Sequence, residues 1–288
     1  MEGFFTREFS ILASMAPTKR TASPQAKKAV RAARLKAAEA ATQPRGTKAA
    51  RLAAAQAKLT PECDWVCSWE FELAARAEGA RLVAGVDEVG RGPLFGPVVA
   101  AAVILPAGVE FATHFEGLND SKKLSEEERE HFDARVREAA LAWAVAEVDV
   151  QTIDRINILQ ASRLAMKIAV EGLGQQGWGP DHLLIDGNQK IDAVCRQTTI
   201  VQGDARSLSI AAASVIAKVH RDRLLCELDT QFPGYGLAHN KGYSTPEHKA
   251  ALLRLGITEM HRRSFQPVAE LFAVEVESIE LETMLFED

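Results

Sequence analysis

The sequence predicts an α/β fold in which helices flank a central sheet. Apolar runs typical of strands alternate with segments of helical periodicity, as in folds built from strand–helix units. Three predicted strands end in acidic residues, and residues at strand ends converge at the edge of an open α/β sheet. The sequence therefore indicates a site formed by the acids Asp87, Glu88, Asp186 and Asp204.

The first two predicted strands lie in residues 82–105, which read LVAGVDEVGRGPLFGPVVAAAVIL. Asp87 and Glu88 end the first apolar run, and a glycine-rich turn over 90–93 precedes the second. Buried carboxylates are costly unless a cation meets them, so a divalent metal is the simplest partner, and a hairpin with a charged corner is the alternative. The glycines would let backbone N–H groups approach a phosphate or a sugar.

The later elements follow from periodicity and capping signals. Ser125 and Glu128 form a capping box at a helix start, and a run of small residues after Ser207 predicts a thin helix that lies close to the sheet. The expected elements are helix 126–139, strand 141–150, crossover helix 156–173, strand 182–185, strand 198–201 and helix 207–232.

The acid cluster favours a hard divalent cation. Four converging carboxylates would repel one another and have raised pKa values unless cations lay between them. Ligation by oxygen atoms alone selects Mg²⁺ or Mn²⁺. The alternative to a metal site is that Asp186 and Asp204 are ordinary turn residues. Neighbours on an ideal strand face opposite ways, so Asp87 and Glu88 share a site only if the strand breaks near Gly90 or Glu88 uses its backbone carbonyl.

Charge divides the chain into a basic arm and an acidic body. Residues 1–60 hold 12 lysines and arginines against 3 acids, whereas the remaining 228 residues hold 22 against 36. The arm, rich in alanine, lacks the apolar residues of a core and is predicted to be disordered or partly helical, either as an electrostatic tether to nucleic acid or as a solvated extension. The sequence predicts a linking helix over 61–80, an α/β domain that carries the four acids over 81–268 and an acidic tail over 269–288.

Cysteine and hydropathy patterns exclude several classes of protein. Four cysteines are few for a disulfide framework, and Cys63 and Cys67 lack the further ligands of a zinc site, so a reduced, cytoplasmic compartment is expected. No apolar run reaches 18 residues without a charge, so we expect no membrane span.

Several segments together make residues 82 to about 268 resemble ribonuclease HII. They are GVDEVGRGP at 85–93, DSKKL at 120–124, LIDGN at 184–188, GD at 203–204, SIAAAS at 209–214, AKV at 217–219, RD at 221–222, His239, KGY at 241–243 and HRRSF at 261–265. The resemblance implies a ribonuclease H-like mixed sheet flanked by helices, with a helical C-terminal part. It implies cleavage of RNA in RNA–DNA hybrids and at ribonucleotides embedded in duplex DNA.

The resemblance also implies roles for individual residues. The four acids would hold two Mg²⁺ or Mn²⁺ ions, and the backbone of Gly90, Arg91 and Gly92 would read the ribose 2′-hydroxyl. Tyr243 would stack on the sugar of the following deoxynucleotide. The candidate phosphate contacts are Lys122, Lys123, Lys218 and Arg221, with a solvated surface as the alternative.

Other interpretations stay open at this point. A DNA transposase or integrase of related fold would also gather acids at strand ends, and a noncatalytic nucleic-acid-binding protein would keep the basic arm. We expect a monomer, and the tail over 269–288 is a weak candidate for contact with a replication clamp.

Overall fold

The computed structural model describes residues 67–107 and 115–273. The predicted arm over 1–60, the first part of the linking segment and residues 274–288 of the tail lie outside the described residues. The elements in chain order are helix α1 (Glu70–Ala77), strands β1 (Val83–Val89) and β2 (Val98–Ile104), helix α2 (Glu126–Ala139), strand β3 (Ala142–Val148), helices α3 (Val150–Ile156) and α4 (Ile158–Gln175), strands β4 (His182–Asp186) and β5 (Arg196–Ile200), and helices α5 (Leu208–Gln231), α6 (Leu237–Asn240) and α7 (Pro246–Leu255).

The five strands form one mixed sheet in the order β3-β2-β1-β4-β5. β2 runs antiparallel to both β1 and β3, whereas β4 runs parallel to β1 and β5 runs parallel to β4. The mixed sheet confirms the expected fold. Because β1, β4 and β5 are parallel, their carboxyl ends meet at one edge of the sheet.

Helices cover both faces of the sheet. Small residues of α5 pack with α2 on one face, and α4 packs on the other. The close approach of α5 comes from its sequence: residues 210–217 are buried, and most of them are alanine or serine. A Cβ on Gly85 of β1 would overlap the carbonyl group of Ser209, so the strand and the helix are in backbone contact.

The crossover between β3 and β4 differs from the expected single helix. α3 and α4 are separate helices, and Asn157, at φ 67°, is the residue between them. Asp149 caps α3 by accepting from the Thr152 N–H, and Asn157 caps α4 by accepting from the Gln160 N–H. Helix α3 was not predicted, because the polar residues Asp149 and Asn157 that cap the two helices also occur commonly in loops.

The helical C-terminal part packs around Phe95, which lies in the connection between β1 and β2. Tyr235, Leu252 and Val268 are buried in the same apolar cluster as Phe95, and residues 268–273 are helical. The connection after β1 is thereby held against the helical part between residues 235 and 271. Among the described helices, none is long and apolar enough to cross a membrane.

Candidate active site

Asp87 and Asp186 lie on neighbouring parallel strands, one residue beyond paired positions. β1 and β4 are in register at Val86 and Ile185, so the two aspartates follow at equivalent points. Asp87 is buried and its Oδ1 accepts from the Glu88 N–H at 2.7 Å. The strand register alone therefore brings together two acids that are almost a hundred residues apart.

Asp204 joins them from the turn after β5. Asp186 Oδ1 accepts from the Gly203 N–H at 2.7 Å, which anchors the turn over 203–205 against the end of β4. A Cβ on Gly203 would lie 3.3 Å from Asp186 Oδ1 and closer still to Ile210, so glycine permits this approach. Asp204 itself is buried, 7% exposed.

The electrostatics show that the acids affect one another. Burial, followed by the charges of Asp186, Glu88 and Asp204, raises the pKa of Asp87 well above its usual range. Burial and then the charge of Asp186 raise the pKa of Asp204 to about 6. Such shifts mean that the cluster lacks sufficient positive charge from the protein itself.

Glu88 follows Asp87 on an unbroken strand. Asp87 pairs with Ala101 and Glu88 with Ala100 in one continuous ladder, so β1 does not break between the two acids. Their side chains therefore leave opposite faces of the sheet. Arg91 donates to Glu88 Oε1 at 3.1 Å, and burial raises the pKa of Glu88 while Arg91 opposes that rise.

The donor chemistry of the cluster fits a hard divalent cation. Its carboxylate oxygens are the ligands that Mg²⁺ and Mn²⁺ prefer, and burial together with neighbouring negative charges raises the pKa values of Asp87 and Asp204. As the side chains stand in the described ranges, no three histidine, cysteine, aspartate or glutamate side chains are arranged to ligate one ion. Each carboxylate takes a hydrogen bond or an ion pair from the protein.

Lys122, like Arg91, is a cation that reaches this cluster. Its Nζ lies 3.6 Å from Asp204 Oδ2 and 3.8 Å from Asp120 Oδ1, although its side chain is 73% exposed. Lys123 beside it is also exposed. Both lysines are therefore accessible to a phosphate. Asp120 is a further acid near the cluster, which the sequence did not indicate as a site residue, and its charge helps to raise the pKa of Asp204.

The glycine-rich turn lies beside Tyr243. Arg91 and Gly92 are exposed, Gly90 is buried with φ 91°, and a Cβ on Gly92 would lie 3.5 Å from a ring carbon of Tyr243. Tyr243 is 43% exposed, so its ring is not a core aromatic. An exposed ring beside an exposed backbone turn is a suitable surface for a sugar.

The placement of Arg221 contradicts its expected phosphate contact. Arg221 is 1% exposed, and its guanidinium donates to the carbonyls of Phe95, Pro97 and Lys241. Burial lowers its pKa to about 10. The spacing of Arg221, three residues after Lys218 on α5, does not show whether its side chain is buried. Arg221 is buried because the C-terminal part of the protein covers this side of α5.

Lys218 is half-buried and pairs with Asp222 at 2.7 Å. Burial lowers its pKa, and the hydrogen bond to Asp222 opposes that effect. A phosphate contact by Lys218 would have to compete with this ion pair, and its assignment stays a prediction.

Arg262 has a role in the fold that the sequence analysis did not predict. Arg262 is fully buried and donates to the carbonyls of Gly90, Arg91 and Gly96. It therefore supports the glycine-rich turn directly. The signal available in the sequence was its place in the HRRSF segment, which by itself does not say which arginine is buried.

Comparisons with known proteins agree with the resemblance. A sequence model described as Ribonuclease HII matches residues 84–268. A ribonuclease HII of Koribacter versatilis (strain Ellin345) is 55% identical over 202 residues, covering 70% of this chain and 76% of that protein. A ribonuclease HII of Enterococcus faecalis (strain ATCC 700802 / V583) is 49% identical over 217 residues, covering 74% and 82%.

The fold has a solved counterpart. The crystal structure of ribonuclease H2 from Pyrococcus horikoshii OT3 superposes with a TM-score of 0.56 at 24% identity, covering 66% of this chain and 97% of that one. This likeness supports the ribonuclease H-like fold.

Proposed function

Because the chain belongs to the ribonuclease HII family, and is thus a hydrolase of the ribonuclease H type, we propose that it is a metal-dependent endonuclease with two kinds of substrate. It cuts RNA in RNA–DNA hybrids, and it cuts on the 5′ side of ribonucleotides embedded in duplex DNA. The products carry 5′-phosphate and 3′-hydroxyl ends. The observation that supports this proposal best is the meeting of Asp87, Asp186 and Asp204 at one edge of the sheet.

The four acids are the proposed metal ligands. Asp87 and Asp186 would hold one Mg²⁺ or Mn²⁺ ion, and Asp87 and Asp204 would hold the second together with Glu88. Because the Glu88 side chain leaves the opposite face of the sheet, Glu88 would act through its backbone carbonyl. Bound ions of this kind stabilise charge on a phosphate and make a bound water more acidic. The raised pKa values of Asp87 and Asp204 are consistent with this role, because both carboxylates are under-neutralised by the protein.

The neighbouring residues would orient the nucleic acid. The backbone of Gly90, Arg91 and Gly92 would contact the ribose 2′-hydroxyl, which distinguishes RNA from DNA at one nucleotide. Tyr243 would stack on the following deoxyribose. Lys122 and Lys123, both exposed beside the acids, would contact phosphates.

Two other functions remain distinguishable by experiment. A transposase or integrase of related fold would cut DNA that holds no ribonucleotide, and a noncatalytic binding protein would cut nothing. Neither alternative explains why an exposed tyrosine lies beside the glycine-rich turn.

The proposal is tested with a DNA duplex that carries one ribonucleotide, in Mg²⁺ or Mn²⁺. We expect a single nick on the 5′ side of the ribonucleotide, located on a sequencing gel, and none in the all-DNA duplex. Asp87→Asn should abolish the nick, whereas Asp192→Asn, which alters an exposed carboxylate paired with Lys167, should keep it. Cleavage of the all-DNA duplex would contradict the proposal.

The remaining assignments complete the proposal. We assign catalysis to residues 81–268, nucleic-acid tethering to the arm over 1–60, and contact with a replication clamp to the tail over 269–288, in a cytoplasmic monomer. If the arm tethers, the full chain should bind duplexes with a steeper salt dependence than residues 61–288, because each phosphate contact releases counterions. Equal salt slopes would contradict tethering.

A further inference from the structure

Two buried arginines lie beneath the connection between β1 and β2. Arg262 donates to the carbonyls of Gly90, Arg91 and Gly96, at 2.6, 3.1 and 3.0 Å. Arg221 donates to the carbonyls of Phe95 and Pro97, at 3.0 and 3.2 Å, and at 2.9 Å to that of Lys241, two residues before Tyr243. All six acceptors are backbone oxygens.

Neither arginine is neutralised by a direct carboxylate contact. Across 67–107 and 115–273, no carboxylate oxygen lies within 4.0 Å of either guanidinium; the acids that act on them from further away are Asp222 for Arg221 and Asp154 for Arg262. Burying an unpaired charge is costly, so two such groups under one short turn require a compensating arrangement. Here the compensation is the set of inward-pointing carbonyls.

The direction of those carbonyls fixes the direction of the next N–H groups. In a trans peptide, the C=O of one residue and the N–H of the following residue point opposite ways. Because the carbonyls of Gly90 and Arg91 point inward at Arg262, the N–H groups of Arg91 and Gly92 point away from it. In the described part of the chain, these two N–H groups donate to no protein acceptor.

The fit between turn and arginines is close. Gly90, at φ 91°, places its Cα so that a Cβ would lie 2.7 Å from Arg221 Cδ and closer still to Nε. Arg262 N–H also donates to the Leu94 carbonyl, and the Leu94 N–H donates to the Gly242 carbonyl. The arginines therefore join the glycine-rich turn, the segment that carries Tyr243 and the segment that carries Arg262 into one unit.

We propose that Arg262 is a positioning residue for ribose recognition: by holding the carbonyls of Gly90 and Arg91 inward, it presents the Arg91 and Gly92 N–H groups as paired donors to the sugar and phosphate of a ribonucleotide. Arg221 supports the far side of the same turn and couples it to Tyr243. The inference rests on the proposed function. It adds that Arg262 is the side chain that makes the glycine-rich turn specific for a ribonucleotide. Arg262 does not touch the substrate.

Arg262→Lys tests this inference, with Arg263→Lys as the matched control. Lysine keeps the charge but lacks the planar fork that holds separate carbonyls at once. Arg263 is the adjacent, exposed arginine, and its guanidinium lies over the Phe272 ring. Two quantities are measured in one Mg²⁺ buffer: kcat/KM for the duplex with one ribonucleotide, and the inhibition constant of the matching all-DNA duplex.

We expect Arg262→Lys to lower kcat/KM at least tenfold while the inhibition constant of all-DNA duplex changes less than twofold, and Arg263→Lys to change neither. A general loss of structure would instead weaken both. An unchanged kcat/KM in folded Arg262→Lys, or equal losses for both duplexes, would overturn the inference. Wild-type protein that fails to cut the ribonucleotide duplex would overturn the proposed function first.

A second measurement needs no variant of Arg262, should that variant fail to fold. Amide hydrogen exchange at Arg91 and Gly92 in wild-type protein should slow at least tenfold on adding the ribonucleotide duplex and much less on adding all-DNA duplex. Arg221→Lys, with exposed Arg223→Lys as its control, should reduce that difference. Equal protection by the two duplexes would overturn the inference.

Discussion

Gly85 of β1 and Ser209 of α5 are in direct backbone contact, because a Cβ at position 85 would overlap the Ser209 carbonyl and the Ile210 N–H. This contact sets the distance between the strand that carries Asp87 and the helix that follows Asp204. Gly85→Ala should therefore destabilise the protein by about 3 kcal/mol or more, since neither backbone can move without displacing a packed element. Chemical denaturation measures the loss.

Gly174→Ala is the control for that substitution. Gly174 is exposed near the end of α4, and a Cβ there would meet nothing within 4 Å. Alanine should stabilise the helix by roughly 0.5–1 kcal/mol, because it loses less conformational entropy than glycine. Equal effects at the two positions would contradict the close contact between β1 and α5.

The buried pair His248 and His261 should make stability fall in acid. His261 donates from Nε2 to His248 Nε2 at 3.2 Å, and His248 Nδ1 donates to the Tyr243 carbonyl at 2.9 Å, if both rings are neutral. Burial, and then the charge of His248, lowers the pKa of His261 to about 3. Between its ordinary value of 6.5 and about 3, the unfolded chain binds a proton that the folded protein does not.

The stability contributed by neutral His261 is thus lost as pH falls below 6.5, by up to about 1.4 kcal/mol per pH unit. His261→Gln should make the decline in unfolding free energy between pH 6.5 and 4.5 shallower by up to that amount. His131→Gln, on an exposed histidine of α2, should leave the slope unchanged. A wild-type slope in His261→Gln would show that His261 is protonated in the folded protein.

Lys122 should contribute one phosphate contact. Its side chain is mostly exposed and lies 3.6 Å from Asp204, so it can reach a phosphate beside the acids. Lys122→Gln should weaken duplex binding and reduce the salt slope by about one counterion, without changing preference among sequences. Lys167→Gln, on α4 across the sheet, is the control, and identical salt slopes for both variants would contradict the contact.

Much of the fold could be predicted because local and global signals agree. The capping box at Ser125 and Glu128 forms as expected, and the helix it begins spans Glu126–Ala139. The run of small residues after Ser207 also predicted that α5 lies close to the sheet. The backbone contact between Gly85 and Ser209 confirms this. Such features depend on residues near one another in sequence.

The sequence predicted that the acids lie close together because they follow strand ends, and the sheet topology brings those ends together.

The features that could not be predicted depend on which side chains are buried in the folded protein. Arg221 and Arg262 look like surface cations in sequence, and only the packing of the C-terminal part around Phe95 buries them. The sequence likewise gives no sign that His248 and His261, thirteen residues apart, share a hydrogen bond.

Metal binding should weaken in acid. Burial and the charge of Asp186 raise the pKa of Asp204 to about 6, and a carboxyl group must lose its proton before it can bind a cation. Below pH 6 the affinity for Mn²⁺ should fall by up to about tenfold per pH unit for each proton displaced. Calorimetric titration at pH 7.5, 6.5 and 5.5 checks this, and equal affinity at all three would contradict a role for Asp204.

Calorimetric titration of Mn²⁺ at pH 7.5 into wild-type protein and into Asp87→Asn, Asp186→Asn and Asp204→Asn tests the shared cation site most directly. Asp192→Asn is the control, because this exposed carboxylate lies apart from the cluster and pairs with Lys167. We expect each of the three cluster variants to bind Mn²⁺ at least tenfold more weakly than the wild type and the control. Wild-type affinity in Asp186→Asn or Asp204→Asn would contradict a common site.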